Sequence, residues 1–241
     1  MKFMLAGLVF IFCIGCKKSP VQETVKVDTV NPNLPSGQFT YLALGDSYTI
    51  GEAVTQGQSF PYQLTAAALD KQGLNVQTPT IIAQTGWTTG DLQQAIQRAA
   101  LTSTYDIVTL LIGVNNQYQG ASIATYRTEF SALLQTAISF ARGDVTHVFV
   151  ISIPDWGVTP FGLTSGRGQQ NISMAIDAFN AVNQDEALKA GVNYVNITAE
   201  SRTAASNLAL VASDGLHPSD KMYQEWVSLM SPSVVGAFLV K

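Results

Sequence analysis

The sequence is poor in charge, in histidine and in cysteine. Of its 241 residues, 12% are charged and 46% are hydrophobic, and there are two histidines and two cysteines. The charged share is about half of the ~25% usual in globular proteins, a balance opposite to that of disordered chains. The 13 Lys and Arg face 17 Asp and Glu without forming a basic cluster, so we expect no nucleic-acid binding. So few histidines and cysteines nearly exclude a zinc or iron–sulfur site, and we predict neither a metal nor a cofactor.

The N-terminus has the pattern of an export signal. Residues 3–16 carry no charge and follow Lys2, as in a secretory leader. They fall short of the ~20 apolar residues that a membrane-spanning helix needs. Both cysteines lie here, and the segment from Cys13 to Cys16 resembles a bacterial lipobox, although Cys13 stands where Leu is usual. The resemblance implies a lipid on Cys16 and an exported, membrane-anchored lipoprotein, periplasmic or at the cell surface. Simple secretion and an uncleaved anchor are the alternatives.

Composition divides the chain into three parts. Residues 1–16 are assigned to the lipoprotein-type signal peptide. Residues 17–38 contain three prolines and no sustained apolar period, which predicts a flexible tether. Residues 39–241 form one domain, and its length is sufficient to bury a sizeable core.

Apolar runs in this domain alternate with helical patterns. The predicted strands are residues 39–44, 80–83, 106–112, 147–153 and 192–197. Most are continuously apolar, as parallel strands covered on both faces are. Strands separated by helices predict an α/β fold with a doubly wound parallel sheet.

Several segments between the strands have local signals of their own. A helix is predicted over 60–72, with Ser59 as its N-cap. The final helix contains Pro232, which we expect to break it. The segment 154–168 is rich in glycine and proline and is predicted to be a loop over the site.

Polar residues follow the predicted strands, at the sheet edge where doubly wound proteins bind ligands. They lie in Gly45-Asp46-Ser47, Gln84-Thr85-Gly86, Gly113-Val114-Asn115-Asn116, Pro154-Asp155-Trp156 and, after the last strand and a polar loop, Asp214 to Pro218. A hydroxyl, small or amide groups, carboxylates and an imidazole would therefore converge. These are the components of a serine hydrolase.

Each component has a plausible chemical role. Ser47 is a weak nucleophile unless a base takes its proton, and His217 is the candidate base. Asp214, three residues earlier, could orient the imidazole and stabilise its charged form. For the oxyanion, the candidate donors are the backbone N–H groups of Ser47 and Gly86 and the side-chain amide of Asn115. Taken singly, each motif could be an ordinary turn, and Asn115 could be a helix cap.

Taken together, four motifs resemble the signature blocks of the GDSL/SGNH hydrolase family. They are Gly45-Asp46-Ser47-Tyr48, Gly86, Gly113-x-Asn115 and Asp214-x-x-His217, in that order over the whole domain. The resemblance implies a three-layer α/β/α sandwich with a flavodoxin-like sheet, and ester hydrolysis through an acyl-enzyme. It implies Ser47, Asp214 and His217 as the catalytic triad, with Gly86 and Asn115 as oxyanion donors. Tyr48 replaces the family's common Leu, and Asn116 replaces its frequent Asp.

The sequence leaves the substrate open. The leading hypothesis is a serine esterase for acyl or acetyl esters. The alternatives are a carbohydrate acetylesterase acting on extracellular glycan and a catalytically silent surface binding protein. Aromatic residues near the motifs are candidates for lining the substrate site, namely Tyr48, Trp87, Tyr118, Trp156 and Phe161. We expect Asp46 to support its turn and His147 to be structural.

Overall fold

The computed structural model describes residues 34–69 and 72–239, and it contains a five-stranded sheet. The strands are β1 (Tyr41–Gly45), β2 (Thr80–Ala83), β3 (Ile107–Leu111), β4 (Val148–Ile151) and β5 (Asn193–Val195). All neighbouring strands are parallel, in the order β2-β1-β3-β4-β5. This is the flavodoxin-like order, so the predicted strands and the predicted fold class are confirmed.

Helices connect the strands and cover both faces of the sheet. They are α1 (Ser47–Ile50), α2 (Phe60–Gln63), α3 (Thr89–Ala99), α4 (Val114–Tyr118), α5 (Ile123–Phe140), α6 (Pro160–Thr164), α7 (Gln169–Ala190), α8 (Thr198–Ser201) and α9 (Asp220–Ala237). In one outer layer α5 packs against α3 and α7, and in the other α2 packs against α9. Right-handed crossovers in this strand order place these two groups on opposite faces, giving the three layers.

Burial along the strands follows their position in the sheet. Every residue of β1, β3 and β4 is buried, whereas the edge strands β2 and β5 are partly exposed. The continuous apolar runs of the sequence are therefore the central strands, covered on both faces.

Three local predictions need correction. The helix expected over 60–72 is α2 followed by a π-helix, Leu64–Leu69, and the Ser59 hydroxyl donates to the Gln56 carbonyl instead of capping it. Helix α9 continues through Pro232, since buried Val234 and Val235 hold the following turn against the core. The predicted loop 154–168 contains a 3₁₀ helix, Trp156–Val158, and α6.

The last correction has a local cause. Thr159 caps α6 by accepting from the Gly162 N–H at 3.1 Å, and Pro160 occupies the first helical position, where its missing N–H costs nothing. Gly162 is also needed for packing, because a Cβ there would lie 2.1 Å from the Trp156 carbonyl oxygen. Residues that signalled a loop thus serve a short helix packed at the sheet edge.

The predicted leader, including Cys16, and residues 17–33 of the predicted tether lie outside the described residues. Within 34–69 and 72–239, no helix has the length and apolar character needed to span a membrane.

Candidate active site

Ser47 begins α1 directly after a tight turn at Asp46, which follows the last residue of β1. Asp46 occupies the N-cap position of α1, where its Oδ1 accepts from the Tyr48 N–H at 3.0 Å. Gly45 is required by space, since a Cβ on it would lie 2.4 Å from the Leu111 carbonyl oxygen on the neighbouring strand. The turn therefore carries Ser47 out of the sheet at its carboxyl edge.

Asp46 is a structural part of this turn, as expected from the sequence. Asp46 is 0% exposed, and its Oδ2 has no hydrogen-bond partner among the described residues. Burial raises the pKa of the Asp46 carboxyl to about 7, against the opposing hydrogen bond from the Tyr48 N–H. This carboxyl is poorly suited to stabilising a positive charge because burial favours its neutral form.

His217 and Asp214 reach Ser47 from the loop before α9. The His217 Nε2 lies 3.0 Å from the Ser47 Oγ, and its Nδ1 lies 2.5 Å from the Asp214 Oδ2. The other oxygen, Oδ1, accepts from the backbone N–H groups of Leu216 at 2.9 Å and His217 at 3.0 Å. Burial acts to raise the pKa of Asp214, but these hydrogen bonds, with the imidazole's the strongest, bring it below its ordinary value. An ionised carboxylate, an imidazole and a hydroxyl thus form one continuous chain.

Backbone contacts fix the loop that carries the imidazole. The Ala212 N–H donates to the His217 carbonyl at 2.8 Å, closing the loop on itself. Gly215 has φ +73°, a left-handed conformation that glycine adopts without strain. Its carbonyl accepts from the Phe161 N–H at 2.9 Å, which ties the loop to α6.

The predicted oxyanion donors lie at the ends of β1, β2 and β3, beside the serine. Gly86 has φ +85°, and apart from its chain neighbours no described atom lies within 4 Å of where a Cβ would be, so the space on that side of it is open. Asn115 is inside α4 rather than capping it, and its Nδ2 donates to the Trp87 carbonyl at 2.9 Å. One amide hydrogen is thereby fixed, and the second remains for a ligand. In the described part of the chain, the Ser47 and Gly86 N–H groups donate to no protein acceptor.

A polar network that the sequence did not reveal supports this side of the site. The Asn116 Oδ1 accepts from the Thr89 N–H at 3.0 Å, and its Nδ2 donates to the Thr89 Oγ1 at 2.7 Å and the Glu129 Oε2 at 3.4 Å. Thr89 also donates to Glu129. Asn116 can donate to a neighbouring carboxylate where an ionised Asp could not, so the departure from the family pattern matches the presence of Glu129.

These groups open into a cleft of about 150 Å³. Its walls are Ser47, Tyr48, Thr85, Gly86, Val114, Asn115, Tyr118, Trp156, Phe161, Leu216 and His217. Four of the five aromatic candidates therefore line it. Trp87 does not, because its ring packs against the core and only its carbonyl holds Asn115. Thr85, Val114 and Leu216 lie within the sequence motifs but are not among the predicted site residues.

Tyr48 forms the back of the cleft against the imidazole. Its ring meets the His217 ring edge-on at 5.5 Å, and its carbonyl accepts from the Tyr223 hydroxyl of α9 at 3.0 Å. Burial, with the nearby carboxylates of Asp46, Asp155 and Asp214, raises the pKa of the Tyr48 hydroxyl far above its ordinary value. Tyr48 is therefore a neutral wall that limits the movement of the imidazole.

His147, which we expected to be structural, lies away from the cleft. His147 precedes β4, at the opposite edge of the sheet, where its Nδ1 lies 2.7 Å from the Asp106 carbonyl. Within residues 34–69 and 72–239, no cluster of three or more histidine, cysteine or acidic side chains is arranged to hold a metal ion.

Comparison with known proteins places this geometry in context. The model of the GDSL-like lipase/acylhydrolase family matches residues 43–225. A search of curated proteins found no match. Among solved structures, a lipase/acylhydrolase from Enterococcus faecalis is similar with a TM-score of 0.65 at 20% identity, covering 84% of this chain and 98% of its own.

Two esterases have similar folds at lower identity. An acetyl xylan esterase from Geobacillus stearothermophilus has a TM-score of 0.61 at 16% identity, covering 87% of this chain and 99% of its own. The psychrotrophic esterase EstA from Pseudoalteromonas sp. has a TM-score of 0.58 at 16% identity, covering 81% and 96%. With the family model spanning most of the domain, the chain belongs to the GDSL-like lipase/acylhydrolase family and is an ester hydrolase.

Proposed function

We propose that this protein hydrolyses acyl or acetyl esters with Ser47 as nucleophile and a Ser47–His217–Asp214 triad. The observation that carries the proposal is the hydrogen-bonded chain of 3.0 Å from Ser47 Oγ to His217 Nε2 and 2.5 Å from His217 Nδ1 to Asp214 Oδ2, at a cleft. The first distance is that of a nucleophile and a base placed for proton transfer, and the second is that of a carboxylate that orients the base.

In the first half of the reaction, the Ser47 Oγ bonds to the ester carbonyl carbon while its proton passes to His217 Nε2. Asp214 holds the other imidazole nitrogen as a donor and stabilises the imidazolium. The Ser47 and Gly86 N–H groups and the Asn115 amide stabilise the negative oxygen. The bond to the alcohol then breaks, and His217 returns the proton to the departing alcohol oxygen.

In the second half, water replaces the alcohol. His217 takes a proton from the water, whose oxygen bonds to the acyl carbon of the acyl-enzyme. Collapse of this intermediate breaks the bond to Ser47 and releases the carboxylic acid, and the serine regains its proton from His217. The same residues thus serve both halves.

The cleft favours short acyl groups. Its volume of about 150 Å³ is below the ~300–1,000 Å³ of pockets that hold drug-sized ligands. We expect kcat/KM to fall steadily from acetyl to hexadecanoyl esters of one chromogenic alcohol. The same assay includes acetylated xylan as a polymeric substrate. Activity greatest on the polymer indicates a carbohydrate acetylesterase, and activity rising with chain length contradicts the short-acyl proposal.

The triad is tested by two substitutions. Ser47→Ala and His217→Ala should each lower turnover of a chromogenic acetyl ester at least ~10³-fold. Ser228→Ala, on the exposed face of α9, and His147→Gln are matched controls that should retain activity. Wild-type activity in either triad variant, in protein free of contaminating esterases, would contradict the assignment. Binding of glycan or lipid without hydrolysis would instead indicate a silent binding protein.

We also propose that the protein is exported and anchored through a lipid on Cys16. The support is the leader and lipobox-like pattern of residues 3–16. Wild-type protein expressed in bacteria should partition into detergent and gain the mass of a lipid on Cys16, whereas Cys16→Ala should not. Unmodified wild-type protein free in the medium would indicate simple secretion.

A further inference from the structure

Arg167 lies at the cleft among aromatic rings. Its guanidinium carbon is 4.0 Å from the centre of the Tyr118 ring and 5.9 Å from that of Trp156. Its Nη1 donates to the Tyr118 carbonyl at 2.7 Å. Tyr118 and Trp156 both line the cleft, so the guanidinium extends the wall of the proposed active site.

Arg167 differs from the described arginines that form ion pairs. Arg127, Arg142 and Arg202 each lie within 4.0 Å of at least one carboxylate. In the described part of the chain, no carboxylate lies that close to Arg167, whose only side-chain hydrogen bond goes to Tyr118. Stacking and one hydrogen bond therefore hold the guanidinium in place and leave other N–H donors for a ligand.

The aromatic wall is rigid around this group. The Trp156 ring lies 5.5 Å from that of Tyr118 and 5.9 Å from that of Phe161. The Trp156 Nε1 donates to the Gln117 Oε1 at 2.8 Å, which fixes the indole. A positioned guanidinium loses little freedom on binding an anion, so its charge-assisted hydrogen bonds add to affinity.

The wall is attached to the side of the site from which the alcohol leaves. Phe161 is hydrogen-bonded to Gly215, between Asp214 and His217. Because His217 must give its proton to the departing oxygen, the alcohol portion lies on the imidazole side. The acyl carbonyl faces Gly86 and Asn115 instead. Arg167 itself contacts Tyr118 at the end of α4 and faces Trp156, which packs on Phe161. With a short acyl group on Ser47, only the alcohol portion of the substrate extends as far as this guanidinium.

Building on the proposed esterase function, we propose that Arg167 binds an oxyanion group, a carboxylate or a phosphate, on the alcohol portion of the substrate. The substrate class is then an ester of an acidic alcohol, such as an acidic sugar or a phosphorylated alcohol. The same acetyl-enzyme forms from every acetyl ester, so Arg167 affects formation of the acyl-enzyme and leaves its hydrolysis alone.

Two matched pairs of acetyl esters test this. The carboxylate pair is 4-acetoxybenzoate and its neutral methyl ester. The phosphate pair is 4-acetoxyphenyl phosphate and neutral 4-methoxyphenyl acetate. For wild type and Arg167→Gln, the measured quantity is the ratio of kcat/KM for the anionic ester to that for the neutral one, in which intrinsic differences in reactivity cancel between variants.

We expect Arg167→Gln to lower this ratio roughly 10-fold to 100-fold for at least one pair, the size of a lost charge-assisted hydrogen bond. The pair that responds identifies carboxylate or phosphate. Arg167→Lys, which keeps the charge without the planar fork, should be intermediate. Added salt should reduce the difference in this ratio between wild type and Arg167→Gln, because salt screens the charge of the guanidinium. Arg98→Gln, an exposed arginine of α3 without a carboxylate within 4.0 Å among the described residues, should leave the ratio unchanged.

Other outcomes overturn the inference. An equal loss for anionic and neutral esters in Arg167→Gln would mean that Arg167 only supports the end of α4. Unchanged kcat/KM values for both esters of each pair would mean that it plays no part in recognition. If wild type hydrolyses none of the four esters, the proposed esterase function fails. Calorimetric binding of 4-hydroxybenzoate and 4-hydroxyphenyl phosphate then decides whether Arg167 still holds an anion, with undiminished binding in Arg167→Gln contradicting it.

Discussion

Two aspartates belong to the two chain segments that meet at Ser47, and their surroundings are opposite. Asp46, beside the serine in the chain, is fully buried and has one oxygen without a partner among the described residues. The Asp214 side chain is 33% exposed, and both of its oxygens accept hydrogen bonds. Burial raises the pKa of Asp46 to about 7, whereas hydrogen bonds outweigh burial at Asp214 and lower its pKa.

The difference supports the roles that we propose for the two acids. A carboxylate that stabilises an imidazolium must stay ionised while the proton moves. Asp214 meets this condition because its hydrogen bonds favour the charged form. Asp46 shapes the turn that presents the serine, a role in which charge is unnecessary. In the proposed mechanism, the acid that takes part in catalysis is therefore not the one beside the serine in the sequence.

The largest expected effect is on turnover. Asp214→Asn removes the charge opposite the imidazole and favours the wrong tautomer, so kcat should fall by roughly 10³–10⁴. Asp46→Asn keeps an acceptor for the Tyr48 N–H, and its kcat should stay within about tenfold of wild type. The measurement is steady-state hydrolysis of a chromogenic acetyl ester by both variants. Equal losses would remove the distinction between the two acids.

The second effect is on stability as a function of pH. The folded-state pKa of Asp46 is raised, so its contribution is fully present below the ordinary carboxyl pKa of about 4 and is lost as pH rises through about 7. Between these pH values wild type should therefore lose stability relative to Asp46→Asn. Each unit of pKa difference corresponds to about 1.4 kcal/mol.

Asp214 should show the reverse sign. Its folded-state pKa is lowered, so its contribution is present above the ordinary pKa and is lost as pH falls below about 4. Urea unfolding of wild type, Asp46→Asn and Asp214→Asn between pH 3 and 8 measures both curves. Parallel curves for the two variants would contradict the opposite pKa shifts.

The smallest expected effect is on the free energy of unfolding when a glycine beside the serine or the histidine is replaced. In Gly45→Ala, a Cβ would lie 2.4 Å from the Leu111 carbonyl oxygen, so we expect a loss of about 1–3 kcal/mol in unfolding free energy. In Gly215→Ala, the nearest atom lies at 3.5 Å and the cost is the left-handed φ of +73°, about 1–2 kcal/mol. Chemical denaturation distinguishes them, and a larger loss at Gly215 would reverse the expected order.

Much of the fold could be predicted because it rests on local patterns. The buried strands β1, β3 and β4 are continuous apolar runs, and parallel strands separated by helices permit few topologies. The grouping of Ser47, Gly86, Asn115 and His217 followed from their places after strands. The strands and the site residues could both be predicted because they depend on the order of residues along the chain.

What could not be predicted depends on contacts between distant segments. Trp87 looked like a cleft residue, but its ring packs on the core. Glu129 and Arg167 lie in no motif, and the hydrogen-bond partners of their side chains are 13 to 49 residues away. The continuation of α9 through Pro232 likewise results from tertiary packing that overrides a local signal.

The central claim, that the His217–Asp214 pair activates Ser47, is tested most directly by chemical labelling. A fluorophosphonate labels a serine only where its hydroxyl is activated. Wild-type protein should gain one adduct, which peptide mass spectrometry locates at Ser47. Labelling should be absent in Ser47→Ala, strongly slowed in His217→Ala and Asp214→Asn, and close to wild type in Asp46→Asn. An adduct on another residue, or folded wild-type protein that takes up no label, would contradict the claim.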